Sequence, residues 1–177
     1  MDQKFEVIDN FLDEDSFSEL KQFITTARCD WRFISAVTFK GDRGNAKDGY
    51  FVHSFKDCNP TTLEDRFPVS PHYQKLDKLM NEIRKKVDYE SILRVRSSLY
   101  PRRDTQSPNP PHVDYEFPHK VCLFYVNTNN GYTLFEEDEK KIPSVENQLL
   151  IFDGLQRHSS VVQTDTPARF IININVV

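Results

Sequence analysis

The second half of the sequence alternates short apolar, β-branched segments with turn residues, and this pattern constrains the fold most. Six segments are expected to be strands: residues 92–100, 120–127, 132–135, 148–152, 159–163 and 169–177. Between the second and third of them, Asn129-Asn130-Gly131 predicts a tight hairpin turn, because Asn and Gly tolerate positive φ angles. Short strands separated by turns favour an antiparallel sandwich or jelly roll.

The first half has a different pattern, which mixes helical and strand-like periodicity. Apolar residues recur at helical spacing in 14–27 and 73–87, so we expect two amphipathic helices there. Residues 5–8, 31–39 and 50–55 are β-like, and the polar segment 40–49 between the last two predicts a loop that could act as a lid. The predicted fold class is α+β, mainly β, with supporting N-terminal helices.

Length and composition limit the organisation of the chain. With 177 residues, 38% hydrophobic and 12% aromatic, one domain with one core is expected over 1–177: residues 1–90 as helical support with flanking strands, and 91–177 as the barrel core. The longest apolar run, 121–126, is far shorter than the roughly 20 residues of a membrane-spanning helix. The net charge of −4 makes nucleic acid an unlikely partner.

The cysteines and the first residues bear on compartment and metal type. The three cysteines include no Cys-x-x-Cys pair, which argues against a cysteine-rich zinc site. The first residues are charged and lack the apolar stretch of a secretory signal, so a cytoplasmic location is expected.

One histidine has a carboxylate two residues later, in His112-Val113-Asp114. On a strand, residues i and i+2 share a face, so the two side chains could converge on a metal ion. Such a pair is also common on protein surfaces. Two later residues strengthen the metal hypothesis: His158 follows the apolar strand 148–152, and Arg169 opens the last predicted strand, where its guanidinium could clamp a carboxylate. His119 could form a different site with His112 and Asp114, but a surface position is expected for it.

With these residues in place, the chain resembles the Fe(II)- and 2-oxoglutarate-dependent oxygenases, which are built on a double-stranded β-helix, a cupin-like jelly roll. The motif of that family is His-x-Asp, a distal His and a following Arg, matched here by His112, Asp114, His158 and Arg169. The likeness is greatest to the prolyl-4-hydroxylase-like branch, particularly to its small stand-alone bacterial and phage members. It covers the second half of the chain.

The resemblance implies roles for three further residues. Tyr100, in Leu99-Tyr100-Pro101, is similar to a tyrosine that bonds 2-oxoglutarate in the family, and Tyr125 and Thr133 match other co-substrate contacts. The sequence also departs from the pattern. Asn130-Gly131-Tyr132 stands where relatives have Gly-Gly-Glu, and Ile171 stands where many have the Ser of Arg-x-Ser, so a hydrogen bond to the distal carboxylate of the co-substrate is expected to be missing.

The implied activity is that of an iron-, 2-oxoglutarate- and O2-dependent dioxygenase that hydroxylates a C–H bond and releases succinate and CO2. The expected substrate is a peptide or small molecule, with a prolyl or other amino-acid side chain as the target. Two alternatives stay open: oxidative demethylation or hydroxylation of a nucleic-acid base on the same fold, and a non-catalytic barrel that only binds a metal or ligand. Arg169 favours an enzyme, since a non-catalytic barrel has no need of a dicarboxylate clamp.

Two arginines share strand parity with Tyr100. Arg94 and Arg96 are therefore expected to point inward with it, where a buried charge needs a partner. They could bind an anionic substrate, or form a salt bridge with an acid of the helical half. The loop that holds Arg102, Arg103 and Asp104 could border the substrate entrance.

Overall fold

The computed structural model describes residues 5–35 and 49–177 and contains two antiparallel β-sheets with two helices. The elements are β1 (Phe5–Ile8), α1 (Glu14–Thr25), β2 (Arg32–Ile34), β3 (Tyr50–Asp57), a 3-10 turn (Tyr73–Leu76) that leads into α2 (Asp77–Arg84), β4 (Ile92–Pro101), β5 (Lys120–Tyr125), β6 (Asn129–Phe135), β7 (Lys141–Ser144), β8 (Gln148–Asp153), β9 (His158–Val161) and β10 (Ala168–Val176). The mainly β prediction with N-terminal helices is confirmed.

The two sheets differ in size. The larger has seven strands in the order β1-β8-β5-β10-β4-β3-β2, and the smaller has three in the order β7-β6-β9. Within each sheet, all neighbouring strands pair antiparallel. Strands β1 and β3 therefore bring the first half of the chain into the same sheet as the last strand, β10.

The large sheet is buried on both faces, which explains the continuous apolar run 121–126. One face packs on α1 and α2 through a cluster that includes Leu20, Ile83, Phe124 and Ile172. The other face packs against the small sheet, and that second cluster contains the aromatic residues Tyr50, Tyr100, Tyr125, Phe135 and Phe152. The many aromatic side chains thus fill the space between the sheets.

Alternation along β10 divides its side chains between these two environments. Ile172, Ile174 and Val176 belong to the cluster on the helical side. Ile171 belongs to the cluster between the sheets, and its same-face neighbours Arg169, Asn173 and Asn175 are also buried. Polar side chains are therefore placed in a line along the inner face of β10.

The hairpin predicted at Asn129-Asn130-Gly131 is wrong. These residues lie inside β6, and a register shift between Asn129 and Tyr132 marks a bulge in its pairing with β7. Strand β5 pairs with β8 and β10 in the large sheet, whereas β6 belongs to the small sheet. The segment between β5 and β6 therefore crosses from one sheet to the other.

The remaining element predictions agree with the structure apart from their ends. The second helix is shorter than the predicted 73–87, and its first turn is a 3-10 turn. Of the predicted strand 31–39, Arg32–Ile34 is a strand, whereas 36–39 lie outside the described residues, as do residues 40–48 of the predicted lid. Within residues 5–35 and 49–177, no helix is long and apolar enough to cross a membrane.

Candidate metal and co-substrate site

The three predicted metal ligands meet in the structure. One ligand atom from each of His112, Asp114 and His158 can be chosen so that all lie within 4.8 Å of one another. His158 begins β9, whereas His112 and Asp114 lie in the connection between β4 and β5 rather than on a regular strand. Their convergence comes from an isolated bridge, in which the backbones of His112 and His158 exchange two hydrogen bonds of 3.0 Å.

Each of the two histidines has one ring nitrogen beside a backbone carbonyl. Nδ1 of His112 lies 3.2 Å from the Pro110 oxygen, and Nδ1 of His158 lies 3.1 Å from the Gln156 oxygen. A carbonyl only accepts, so Nδ1 carries the proton and Nε2 keeps its lone pair free for a metal. Burial lowers the pKa of His158, which favours the neutral imidazole that a metal requires.

Asp114 is held by three side chains from the large sheet. Its Oδ1 lies 2.7 Å from a guanidinium nitrogen of Arg94, and its Oδ2 accepts hydrogen bonds from Asn173 (3.0 Å) and Asn175 (2.8 Å). Burial opposes ionisation, but the charge of Arg94 and the two amide donors outweigh it, so the pKa of Asp114 is well below its usual value. Arg94 thus pairs with a predicted metal ligand and not with an acid of the helical half.

Arg169 is the largest fully buried side chain among the described residues. Its Nε donates to Ser144 Oγ at 2.7 Å and its Nη1 to Ser160 Oγ, whereas Nη2 is buried without a hydrogen-bond partner. A buried, unpaired guanidinium nitrogen is energetically unfavourable unless a ligand fills the space. This donor therefore suits a carboxylate from a bound molecule.

The three residues implied to contact a co-substrate surround this guanidinium. The Arg169 Cζ atom lies 5.9 Å from the ring centre of Tyr100 and 5.8 Å from that of Tyr125. The Tyr125 hydroxyl is hydrogen-bonded to Thr133 Oγ1 at 2.8 Å. Burial raises the pKa values of both tyrosines, so both phenols keep their protons and can donate to a carboxylate.

One pocket is lined by the predicted metal ligands and by residues next to Arg169. His112, Asp114 and His158 line it together with Tyr100, Thr133 and Ser160, which lie beside Arg169. Tyr50 of β3 also lines the pocket and stacks on Tyr100, with ring centres 5.0 Å apart. The site therefore draws on the first half of the chain as well as the second.

The sequence reasoning missed the two serines on Arg169. Ser144 lies on β7, a strand that was not predicted because Lys141–Ser144 is short and contains a proline. Ser160 lies on β9, two residues after the metal-ligand candidate His158, and so shares its face. That spacing is the one sequence signal for Ser160.

His119 differs from its predicted surface position. It is buried, its Nδ1 lies 2.8 Å from the Phe117 oxygen, and its Nε2 has no hydrogen-bond partner. The ring packs so closely on Gly154 that a Cβ atom at that position would lie 2.1 Å from Nε2. It is not part of the His112, Asp114 and His158 group.

Comparison with protein-family models and with curated protein sequences gives no match. Solved structures do match. A 2OG-Fe(II) oxygenase family oxidoreductase from Burkholderia pseudomallei is similar over 98% of this chain and 85% of its own, with a TM-score of 0.73 and 10% identity. A prolyl hydroxylase from Trichoplax adhaerens, solved with a hypoxia inducible factor peptide fragment, covers 99% and 84%, with a TM-score of 0.68 and 14% identity.

A third similar structure belongs to an enzyme with a different reaction. It is a non-heme alpha ketoglutarate dependent epimerase from nogalamycin biosynthesis, which matches over 98% of this chain and 77% of its own, with a TM-score of 0.68 and 11% identity. The chain therefore shares the fold of 2-oxoglutarate-dependent iron enzymes. At these identities the likeness concerns the fold and leaves the reaction and the substrate to be argued from the site.

Proposed function

We propose that this protein is an Fe(II)- and 2-oxoglutarate-dependent dioxygenase of the prolyl-4-hydroxylase-like type, with a double-stranded β-helix fold. The reaction is hydroxylation of a C–H bond in a prolyl or other amino-acid side chain, with O2 consumed and succinate and CO2 released. The observation that carries the proposal is a pocket lined by a two-histidine, one-carboxylate group and by Tyr100 and Ser160, the neighbours of a buried arginine with an unpaired donor.

The donor set fits iron. Two neutral imidazoles and one carboxylate on one side of an ion leave open positions, an arrangement typical of non-heme Fe(II) oxygenases. His112 Nε2, His158 Nε2 and an oxygen of Asp114 would hold the ion. Bound iron, together with 2-oxoglutarate and O2, supplies the oxidising power for replacing C–H by C–OH.

The other residues bind and position the co-substrate. Arg169 would take the distal carboxylate of 2-oxoglutarate through Nη2, with hydroxyl donors from Tyr100, Tyr125 and Thr133 nearby. The apolar side chains between the sheets exclude water from this end of the pocket. We assign the whole of 1–177 to one oxygenase domain, because β1 and β3 complete the sheet that carries β10.

Succinate formation tests the reaction class. Turnover of 2-oxoglutarate should require added Fe(II), and His112→Ala or Asp114→Ala should abolish it because each removes one of three ligands. A His119→Ala variant serves as a matched control, since His119 is buried but lies outside the ligand group. Turnover that persists in both ligand variants would contradict the assignment.

Arg169 gives a separate test of the co-substrate site. With Mn(II) present as a redox-quiet ion, 2-oxoglutarate should raise the melting temperature of the wild-type protein. In Arg169→Met the apparent affinity for 2-oxoglutarate should fall by about tenfold to a hundredfold, the range for a lost hydrogen bond to a charged group. Arg28→Met, which removes an exposed arginine outside the pocket lining, should leave the affinity for 2-oxoglutarate unchanged. An unchanged affinity in Arg169→Met would place the co-substrate elsewhere.

A further inference from the structure

A third inward-facing arginine, Arg96, lies between the two that the proposed reaction uses. Arg94, Arg96, Ser98 and Tyr100 alternate along β4 and face the small sheet. The register with β10 places Arg96 opposite Asn173, whose amide donates to Asp114, and places Tyr100 opposite Arg169. Arg96 is therefore level with the metal ligands and not with the co-substrate arginine.

Arg96 differs from both neighbours in lacking partners. Arg94 is paired with Asp114, and Arg169 donates to two serines. Arg96 lines the pocket, and its Nε is buried without a hydrogen-bond partner. Across residues 5–35 and 49–177 no carboxylate forms an ion pair with it. A partly buried cation without a counter-charge is energetically unfavourable, so its retention inside a pocket points to an anionic ligand.

The position of Arg96 argues that this ligand is not the distal end of 2-oxoglutarate. Arg96 precedes Tyr100 by four positions, which corresponds to about 13 Å along β4. Arg169, opposite Tyr100, already offers an unpaired donor at that end. The anion at Arg96 therefore lies beside the metal ligands, where the reacting part of a substrate must come.

We propose that Arg96 binds a carboxylate carried by the substrate, so that the substrate is a small organic acid such as a free amino acid and not an internal residue of a peptide. This proposal rests on the proposed function and narrows its substrate class. A guanidinium fork matches the two oxygens of a carboxylate, and Ser98 and Tyr50 offer further hydroxyl groups along the same wall. An internal peptide residue has no carboxylate on its backbone to place there.

The charge of the loaded pocket supports the same conclusion. Asp114 is balanced by Arg94, and the two negative charges of 2-oxoglutarate leave the ion and Arg169 with a net positive charge in a site shielded from water. Arg96 adds one more positive charge. A substrate carboxylate at Arg96 compensates that charge locally, even where the substrate also carries an ammonium group farther away, whereas an uncharged peptide group leaves Arg96 without a counter-charge.

The experiment measures binding and does not depend on turnover. Protein saturated with Mn(II) and 2-oxoglutarate is titrated with free L-amino acids, L-proline among them, and with their amides, and the rise in melting temperature is recorded. At least one free acid should stabilise the protein while its amide does not. Arg96→Met should lower the affinity for that acid by about tenfold to a hundredfold. Arg96→Lys should lower this affinity less, because the positive charge remains. Arg28→Met, which removes an exposed arginine outside the pocket lining, is the matched control.

Three outcomes would overturn the proposal. The first is amides that stabilise as well as their acids, or acids that do not stabilise at all. The second is full affinity for the acid in an Arg96→Met variant that folds with a normal melting temperature. The third is a loss of 2-oxoglutarate binding in Arg96→Met as large as in Arg169→Met, which would assign the cation to the co-substrate. If 2-oxoglutarate fails to stabilise the wild type, the proposed function fails instead, and the same titration without 2-oxoglutarate still tests Arg96.

Discussion

At the scale of single residues, contacts within the protein fix the side chains of the candidate site. Asp114 accepts hydrogen bonds from Asn173 and Asn175 and pairs with Arg94. Each of the two histidines proposed as metal ligands has one ring nitrogen beside a backbone carbonyl. Side chains with fixed orientation lose little conformational entropy when an ion binds. Arg157 adds to this rigidity, because it donates to the Pro111 oxygen at 2.8 Å next to His112.

His158 makes the stability of the metal-free protein depend on pH. Burial lowers its pKa, so the unfolded chain, with a histidine pKa of about 6.5, binds more protons than the folded protein below that pH. The stabilisation is complete above about pH 6.5 and decreases as the pH falls below it, by at most about 1.4 kcal/mol per pH unit. Urea unfolding with a chelator, at about pH 7.5 and about pH 5.5, should show a smaller decrease in His158→Gln than in the wild type.

His53 sets the background for that comparison, since burial lowers its pKa too and part of the decrease should remain in the variant. An equal pH dependence in wild type and His158→Gln would show that His158 does not contribute.

The residue-level predictions from the sequence for the candidate site came from one motif. The motif identified His112, Asp114, His158 and Arg169 together. In the structure, one possible ligand atom from each of the first three lies within 4.8 Å of the others. The partner of Arg94 was misjudged, because sequence spacing does not show which side chains meet across a sheet. The buried position of His119 was missed for the same reason.

At the scale of elements, β6 contains an Asn-Gly pair that resembles a turn signal, although close packing and not a turn requires the glycine. A Cβ atom at position 131 would lie 2.9 Å from Cδ of Arg169 and 2.9 Å from the Val161 oxygen. Glycine fits there because the side chains of Asn129 and Arg169 and the backbone of Val161 lie against this position, and not because the chain reverses. From sequence alone, Asn-Gly has the same appearance in both situations, which is why the hairpin prediction failed.

Gly131→Ala should therefore displace Arg169 without changing any residue of the proposed co-substrate site. We expect at least about a tenfold loss of apparent 2-oxoglutarate affinity in the Mn(II) melting assay, since the donor Nη2 moves with the side chain. Asn130→Ala, at the exposed neighbouring position of β6, should retain the wild-type affinity. Retained affinity in Gly131→Ala would show that the arginine can adjust at no cost.

Periodicity identified most strands because their burial matches the alternation of side chains. In β10, the alternation of Ile172 and Ile174 with Asn173 and Asn175 separates the helical face from the pocket face. Strand β7 was not predicted, since four residues with a proline give almost no periodic signal. Pairing partners were not predictable either, because they depend on contacts between distant parts of the chain.

At the scale of the whole molecule, the proposed metal ligands connect the two sheets. Asp114 is anchored to β4 and β10 of the large sheet, whereas His158 belongs to β9 of the small one. An ion held by both should stabilise the packing of one sheet on the other. At a Mn(II) concentration one hundred times its dissociation constant, the free energy of unfolding should rise by about 2.7 kcal/mol.

Urea unfolding with and without Mn(II) measures this rise, and Asp114→Asn should remove most of it because the charged ligand is lost. Glu146→Gln, an exposed acid paired with Lys21 on the outside of the molecule, is the control. The same rise in Asp114→Asn as in the wild type would mean that the ion binds at another place.

The two hydroxyl groups that accept hydrogen bonds from Arg169 belong to Ser144 and Ser160, on two strands of the small sheet. The position two residues after the arginine is occupied by Ile171. The polar surroundings of this arginine thus come from segments that are distant from it in sequence. A search pattern that demands Arg-x-Ser excludes this sequence, although the polar surroundings of its arginine are intact. The three-dimensional position of a hydroxyl group therefore describes the surroundings of this arginine better than its place in a motif does.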